Sequence, residues 1–234
     1  MSSSQESQWK IRLVCATRES TAQFFEKTAL GRSLRIYKSP MIELRLFPQN
    51  ASGLSTVYNH AIEEAQGEAV VLAFMHDDIH LCDFFWPNHV MHALERFDVV
   101  GLAGNKRRVA RQPSWAFIDD RFTWDKPENL SGMVGHGRGF PPDVLSFYGP
   151  PFQQVKLLDG LMLACHSDML HKRNIRFDPR FAFHFYDMDF CRQADALGVT
   201  MGTCAISVIH ESGGSFGSPA WRSSFEKYLA KWES

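Results

Sequence analysis

The sequence predicts a single-domain α/β protein with a mostly parallel central sheet flanked by helices. Apolar runs without alternation, such as Val70–Met75, are typical of strands that are covered on both faces in a parallel sheet. Helical and strand patterns alternate through roughly the first hundred residues, which is the order of a doubly wound sheet. The 234 residues suffice for one large core, since a chain of this size buries roughly 70–75% of its unfolded surface.

The amino-terminal half starts with a strand, a loop and a helix. Residues 11–16 are apolar and rich in branched side chains, and the polar turn TRES follows them. The next segment, TAQFFEKTAL, repeats its apolar positions on one helical face before Gly31, so it predicts a helix. Residues 34–37 and Ile42–Phe47 are predicted to be strands.

A second helix and a buried strand complete this half. The segment SGLSTVYNHAIEEAQG repeats apolar residues at helical spacing and ends in a glycine, as many helices do. Val70–Met75 predicts a buried strand, and residues 98–103 predict another. Ligands of doubly wound sheets bind beyond the carboxyl ends of the strands, so we expect His76, Asp77 and Asp78 at a ligand site.

The carboxy-terminal half follows a loop-rich middle at residues 107–152. Residues 156–165 predict a strand that Asp159 and Gly160 interrupt. The segment FHFYDMDFCRQADALG predicts a helix closed by its last glycine, and GTCAISVIH predicts a final strand. Pro219–Trp232 places its aromatic residues on one stripe, which predicts an amphipathic helix that docks on the body or forms an interface.

Composition and charge exclude several classes of function. The 25 basic and 26 acidic residues give a formal charge of −1, so no overall charge attracts nucleic acid or an anionic membrane. The five cysteines include no C-x-x-C pair, which argues against a disulfide framework and a zinc knuckle. No apolar run approaches the roughly 20 residues that span a bilayer, and the polar start lacks the order of a signal peptide. We expect a cytoplasmic protein with a flexible segment at residues 1–9.

The acidic end of the buried strand contains candidates for a metal site. Asp77 and Asp78 need partners if they are buried, because an isolated buried carboxylate is strongly unfavourable. Hard oxygen ligands at a strand end suit Mg²⁺ or Mn²⁺, which in turn would hold phosphate oxygens. The alternative interpretation is that these aspartates only cap the next helix. His76 and His80 leave a transition-metal site open.

A second acidic cluster, Asp187 and Asp189, lies at the start of a predicted helix. The helix dipole stabilises carboxylates at this end, so a capping pair is one interpretation. The other is a general base, because a carboxylate beside an apolar wall is a better base than one in free solution. His210 ends the last predicted strand and is a candidate third ligand for metal or phosphate.

The order of these segments resembles the nucleotide-diphospho-sugar glycosyltransferases of the family 2 type, which have a single-domain GT-A fold. The most specific matches are NASGLSTVYNHAIEEAQGEAVV and FDPRFAFHFYDMDFCRQADALG, and FMHDDI, LLDGLMLACHSDML and IHESGGS follow the family's order. The resemblance covers nearly the whole chain. It implies a GT-A-type, Rossmann-like domain over residues 10–234, with a donor half at 10–106, an acceptor half at 107–218 and a helix at 219–232.

The resemblance also implies roles for individual residues. Asp78 matches the last aspartate of the family's D-x-D, the metal ligand that bridges the donor's two phosphates, and His210 matches a histidine that often completes the metal shell. Asp187 matches the catalytic base of inverting members, Asp189 is the alternative base, and Asp159 is expected to orient the acceptor. The residues implied to hold the nucleotide sugar are Cys15, Ala16, Thr17, Glu19, Asn50, Gly53, His76 and Asp77.

Three positions depart from the family pattern. His76 stands where the family has the first aspartate of D-x-D, the residue that contacts the nucleotide. Tyr186 stands at the acidic position before the catalytic base, and Arg192 falls one place earlier than the family's arginine. The H-D-D form is similar to a smaller branch of the family that acts in antibiotic and cell-surface biosynthesis.

The features together predict a metal-dependent, hexosyltransferase-like enzyme with Mn²⁺ or Mg²⁺, a nucleotide-diphospho-sugar donor and a hydroxyl acceptor. The run GHGRGF lacks the ending of a P-loop, and we interpret it as a mobile loop near the acceptor. The alternatives are a phosphohydrolase or nucleotidyltransferase acting on sugar nucleotides, and a non-catalytic binding module. A pyrophosphorylase would have a glycine-rich loop after the first strand, and TRES has no glycine. We expect no nucleic-acid partner, and a homo-oligomer remains open.

Overall fold

The computed structural model describes residues 10–233, so the predicted flexible segment at residues 1–9 lies outside the described residues. This part contains thirteen strands and seven α-helices. The strands are β1 Lys10–Ala16, β2 Ile42–Phe47, β3 Val70–Met75, β4 Ile79–Leu81, β5 Val99–Gly101, β6 Ala103–Asn105, β7 Leu130–His136, β8 Val144–Gly149, β9 Gln154–Val155, β10 Leu157–Leu158, β11 Met162–His166, β12 Met201–Thr203 and β13 Val208–His210. The helices are α1 Thr21–Lys27, α2 Ala29–Ile36, α3 Leu54–Glu64, α4 Trp86–Leu94, α5 Ser167–Lys172, α6 Tyr186–Ala196 and α7 Pro219–Trp232.

The larger sheet confirms the predicted α/β class, but its strands are mixed in direction instead of mostly parallel. Its strand order is β2-β1-β3-β11-β5-β12-β9. The strands β1, β2 and β3 are parallel, as are β5 and β12, whereas β11 runs antiparallel to β3 and β5. Met162 at the start of β11 pairs with Met75 at the end of β3, so β11 runs back along β3 in the opposite direction.

A second sheet contains β13, the strand that ends at His210. Its order is β10-β6-β7-β13-β4, and β8 pairs with β7 as a hairpin. In this sheet β13 lies parallel to β7 and antiparallel to β4. The pairing places His210 opposite both His136 and Ile79, so the ends of three strands meet beside the turn at residues 76–78.

Residues 34–37 belong mostly to helix α2, and the predicted strand there is wrong. The Thr28 hydroxyl accepts a hydrogen bond from the Gly31 amide over 3.0 Å, which caps α2 at its amino end. The helix then continues to Ile36. A short apolar run fits a strand and a helical face equally well, so periodicity alone could not separate them.

Three predicted strands are each divided between the two sheets. The run 98–103 becomes β5 and β6, the run 156–165 becomes β10 and β11, and the last run becomes β12 and β13. In each case one part pairs in the larger sheet and the other part pairs in the second sheet. Because both parts are buried, an apolar run does not reveal the residue at which the chain passes from one sheet to the other.

Helix α7 docks on the body through its aromatic stripe. Trp221 and Tyr228 are buried, and the ring of Phe185 packs 5.2 Å from each of their centroids. This contact places α7 against the start of α6, beside the candidate site. Among residues 10–233, no helix combines the length and the hydropathy that a membrane span requires.

Candidate active site

His76, Asp78 and His210 form a cluster at the edge where β3 and β13 end. His76 Nδ1 lies 3.9 Å from one carboxylate oxygen of Asp78, and His210 Nε2 lies 3.2 Å from the other. One nitrogen from each histidine and one oxygen from Asp78 lie within 4.8 Å of one another. The pairing of β4 with β13 brings Asp78 to His210 across more than a hundred residues of sequence.

The Asp78 carboxylate has the environment of a cation ligand. Its Oδ1 is buried and has no hydrogen-bond partner among the described residues. Burial alone would raise the pKa of Asp78, but the hydrogen bond with His210 and the nearby His76 lower it to about 2, so the carboxylate is ionised. A buried anionic oxygen without a partner, beside two imidazoles, fits a divalent cation.

His76 is held by aromatic neighbours. Its Nε2 lies 2.7 Å from the hydroxyl of Tyr186, and its ring is stacked 6.0 Å from the ring of Phe183. Burial lowers the pKa of His76 even though Asp78 and Asp159 act in the opposite direction, which favours the neutral imidazole at pH 7.

Asp187 and Asp159 face the same cavity beside this cluster. Asp187 is in the first turn of α6, where its two oxygens accept hydrogen bonds from the amides of Gly160 (3.1 Å) and Met188 (2.8 Å). Burial, followed by the charge of Asp159, raises the pKa of Asp187 to about 7. Asp159 accepts a 2.7 Å hydrogen bond from the indole of Trp115. Asp187 therefore has the properties of a general base near neutral pH.

Asp189 is fully buried on another side of α6 and does not line this cavity. Its Oδ1 lies 2.6 Å from Lys231 Nζ and accepts a 2.7 Å hydrogen bond from the indole of Trp232. Its Oδ2 accepts a hydrogen bond from Gln193. The structure thus brings Asp187, but not Asp189, to the candidate site.

Among residues 10–233, three cavities share Asp78 as a lining residue. The first, of about 340 Å³, is also lined by Asp159, Asp187 and His210. The second is a cleft of about 930 Å³ between the ends of β1 and β3 and the start of α3. The third, of about 510 Å³, is lined by two arginines, Arg32 and Arg138, together with acidic and serine side chains. Asp78 is therefore the point at which all three spaces meet.

The cleft contains most of the residues predicted to hold the nucleotide sugar. Thr17 and Asn50 are joined by a 2.8 Å hydrogen bond between the Asn50 amide and the Thr17 carbonyl. Gly53 lets the backbone at Ala182 approach, because a Cβ there would lie 2.8 Å from Ala182. Cys15 is fully buried beneath the cleft and does not line it. The predicted residues that line the cleft are Ala16, Thr17, Glu19, Asn50, Gly53, His76 and Asp77.

The glycine-rich run GHGRGF forms the turn of the β7–β8 hairpin. The Gly137 amide donates a 3.2 Å hydrogen bond to the carbonyl of His210, so this turn is attached to the strand that ends at the cluster. Arg138 is exposed and lines the third cavity with Asp78. Within residues 10–233, its guanidinium has no ion-pair or hydrogen-bond partner.

The sequence indicated an apolar wall beside Asp187, but most of the aromatic wall of the first cavity was not predicted. Its rings come from the loop before β7, from the segment before α6, and from the first turn of α7 together with the segment before it. The rings before β7 have no periodic spacing, and their only sequence signal is the density of aromatic residues in WAFIDDRFTW. The residues of this aromatic wall are Trp115, Phe117, Trp124, Phe183, Phe216 and Trp221.

No protein-family model and no curated protein matches the sequence. Solved structures match the fold. The chain is similar to GalNAc-T7, solved with UDP, GalNAc and Mn²⁺, with a TM-score of 0.56 and 11% identity over 97% of this chain and 48% of that one. It is also similar to TarS of S. aureus, with a TM-score of 0.53 and 13% identity over 95% of this chain and 39% of that one. The chain thus spans less than half the length of both proteins, and the likeness confirms the predicted GT-A-type fold.

Proposed function

We propose that this protein is a metal-dependent glycosyltransferase that moves a sugar from a nucleotide-diphospho-sugar to an acceptor hydroxyl. The observation that supports this most is the convergence of three cavities on Asp78, one of which is also lined by Asp187, a carboxylate of raised pKa. The GT-A-type fold is consistent with this reaction.

The three cavities fit the parts of such a donor. The nucleoside fits the cleft beside Thr17 and Asn50, and the diphosphate fits at Asp78, where the cleft meets the other two cavities. The sugar then extends into the first cavity toward Asp187. The aromatic wall of that cavity offers flat apolar surfaces to sugar or acceptor rings.

Asp78 and His210 are the residues that would hold the cation, as the resemblance implies. Imidazole nitrogen in the donor set suits Mn²⁺ better than Mg²⁺, which prefers oxygen ligands and water. When bound, the cation would supply positive charge where the diphosphate leaving group becomes more negative.

Asp187 acts as the base. In its ionised form it accepts the proton of the acceptor hydroxyl, whose oxygen attacks the anomeric carbon as the bond from that carbon to the diphosphate breaks. The amides of Gly160 and Met188 hold the carboxylate in place. Asp159, fixed by the Trp115 indole, is placed to orient the acceptor in the same cavity.

A turnover assay tests this proposal. Nucleotide sugars are incubated with the protein and Mn²⁺, with and without candidate sugar acceptors, and release of the nucleoside diphosphate is followed. We expect metal-dependent release, accelerated by a suitable acceptor and lost in Asp78→Asn. Release of phosphate or nucleoside monophosphate would favour a phosphohydrolase, and binding without any release would favour a non-catalytic module.

The five cysteines are free thiols in the described chain, and four of them are buried. This supports the proposal that the protein works in a reducing compartment such as the cytoplasm.

A further inference from the structure

We infer that Tyr186 is a positioning residue that fixes the tautomer of His76 and so presents His76 Nδ1 to the cation as a third ligand. This inference rests on the proposed metal-dependent function. It reassigns His76, which the sequence placed at a nucleotide contact, to the metal site.

The tautomer follows from two hydrogen bonds at one hydroxyl. The Tyr186 oxygen lies 2.7 Å from the carbonyl oxygen of Gly160 and 2.7 Å from Nε2 of His76. A phenol has one hydrogen, and a carbonyl oxygen can only accept, so the Tyr186 hydrogen points to Gly160. The Tyr186 oxygen must then accept a hydrogen bond from His76, which requires a proton on Nε2.

A neutral His76 with its proton on Nε2 has a free lone pair on Nδ1. That nitrogen lies 3.9 Å from Asp78 Oδ1, the oxygen without a hydrogen-bond partner. The separation is too long for a direct hydrogen bond. It suits two ligands of one cation, because bonds of about 2.1 Å from a cation to nitrogen and to oxygen span up to about 4.2 Å.

The fold holds the Tyr186 hydroxyl in this position. Its side chain is buried, and its ring packs near the rings of Tyr58 and Phe177. At Gly160 a Cβ would lie 2.3 Å from the Tyr186 hydroxyl oxygen, so only glycine leaves room for it there. The two departures from the family pattern, His76 and Tyr186, are therefore partners in one contact. Fixing the ligand's tautomer from outside the metal shell is a common way to tune a metal site.

Nitrogen NMR on metal-free protein tests the inference directly. Histidine is labelled with ¹⁵N, the His76 signals are identified by their loss in His76→Gln, and the protonated ring nitrogen is read from two-bond correlations. We expect His76 to be protonated on Nε2 in the wild type. Tyr186→Phe should lose this preference, while Tyr228→Phe, which removes another buried tyrosine hydroxyl, should retain it. A wild-type His76 protonated on Nδ1 would overturn the inference.

Calorimetric titration with MnCl₂ alone gives a second readout. We expect Tyr186→Phe to weaken Mn²⁺ binding about tenfold or more, as outer-shell changes commonly do, and Tyr228→Phe to leave it unchanged. Equal Mn²⁺ affinity in wild type and a folded Tyr186→Phe would overturn the inference. Neither readout involves a nucleotide sugar, so a protein that passes both and transfers no sugar would disprove the proposed function and leave this inference standing.

Discussion

Asp187 and Asp189 lie two residues apart on α6, yet their surroundings differ completely. Asp187 accepts two backbone hydrogen bonds at the wall of a cavity, and burial beside Asp159 raises its pKa to about 7. Asp189 is fully buried and lies 2.6 Å from the ammonium of Lys231. Asp187 is available to a substrate, whereas Asp189 joins two helices. The sequence alone could not decide which of the two carboxylates has which role.

Asp187→Asn should abolish transfer while leaving nucleotide binding intact. The amide keeps the size of the side chain but accepts no proton at neutral pH, and loss of a general base costs roughly 10²–10⁴-fold in rate. Turnover assays and calorimetric titration with the nucleoside diphosphate measure the two effects. Asp195→Asn, on the same helix, is the matched control and should retain activity. Full turnover in Asp187→Asn would exclude its role as the base.

The rate should increase with pH around neutrality. The base works only when it is ionised, and a carboxyl group with a pKa of about 7 ionises as the pH rises through that value. We expect kcat/KM to fall below pH 7. Asp159→Asn removes a neighbouring negative charge, so it should lower the pKa of Asp187 and move the midpoint to lower pH. A pH profile that stays flat from pH 5 to 8 would contradict this account.

Arg138→Ala should weaken binding of a nucleoside diphosphate more than binding of the corresponding nucleoside. Arg138 lines a cavity with Asp78, where the diphosphate is proposed to lie. A hydrogen bond to a charged group contributes about 1.5–3 kcal/mol, so we expect a loss of about tenfold or more. Arg35→Ala, on the helix that contains Arg32, is the control. An equal loss for both ligands would show that Arg138 does not contact the phosphates.

The contact between α6 and α7 is the clearest feature at the level of elements. The aromatic stripe predicted α7 and its docking face, and the structure adds the buried ion pair that joins this helix to α6. Lys231 also lies 2.8 Å from Asp178, so one ammonium serves two carboxylates. These contacts fix the start of α6, and with it the position of Asp187.

Lys231→Met should destabilise the protein strongly. It leaves the Asp189 carboxylate buried without its cation, and breaking a buried pair from one side costs about 3–5 kcal/mol. Urea denaturation measures the change in the free energy of unfolding. Lys227→Met, at an exposed position of the same helix, should stay within about 0.5 kcal/mol of the wild type. Similar stability of the two variants would mean that Asp189 finds another partner.

At the scale of the whole molecule, sequence patterns could predict the class of fold and the acidic strand end, but not how the chain is divided between two sheets. Val70–Met75 is buried along its whole length. Its continuous apolar pattern, and the position of Asp78 just after it, can both be recognised from neighbouring residues in the sequence. The pairing of His210 with Ile79 and the aromatic wall arise from contacts between distant segments. Periodicity reports local structure, and such contacts lie beyond it.

Binding of nucleoside diphosphates with and without Mn²⁺ tests the central claim most directly. Thermal unfolding of the wild type and of Asp78→Asn is followed with the diphosphates of uridine, guanosine, cytidine, adenosine and thymidine, with either Mn²⁺ or a chelator present. A ligand at a hundred times its Kd stabilises the folded state by about 2.7 kcal/mol, which raises Tm measurably. We predict that at least one diphosphate raises Tm only with Mn²⁺ and only in the wild type. If no diphosphate raises Tm, or if the rise persists in chelator or in Asp78→Asn, the proposed metal-dependent donor site is contradicted.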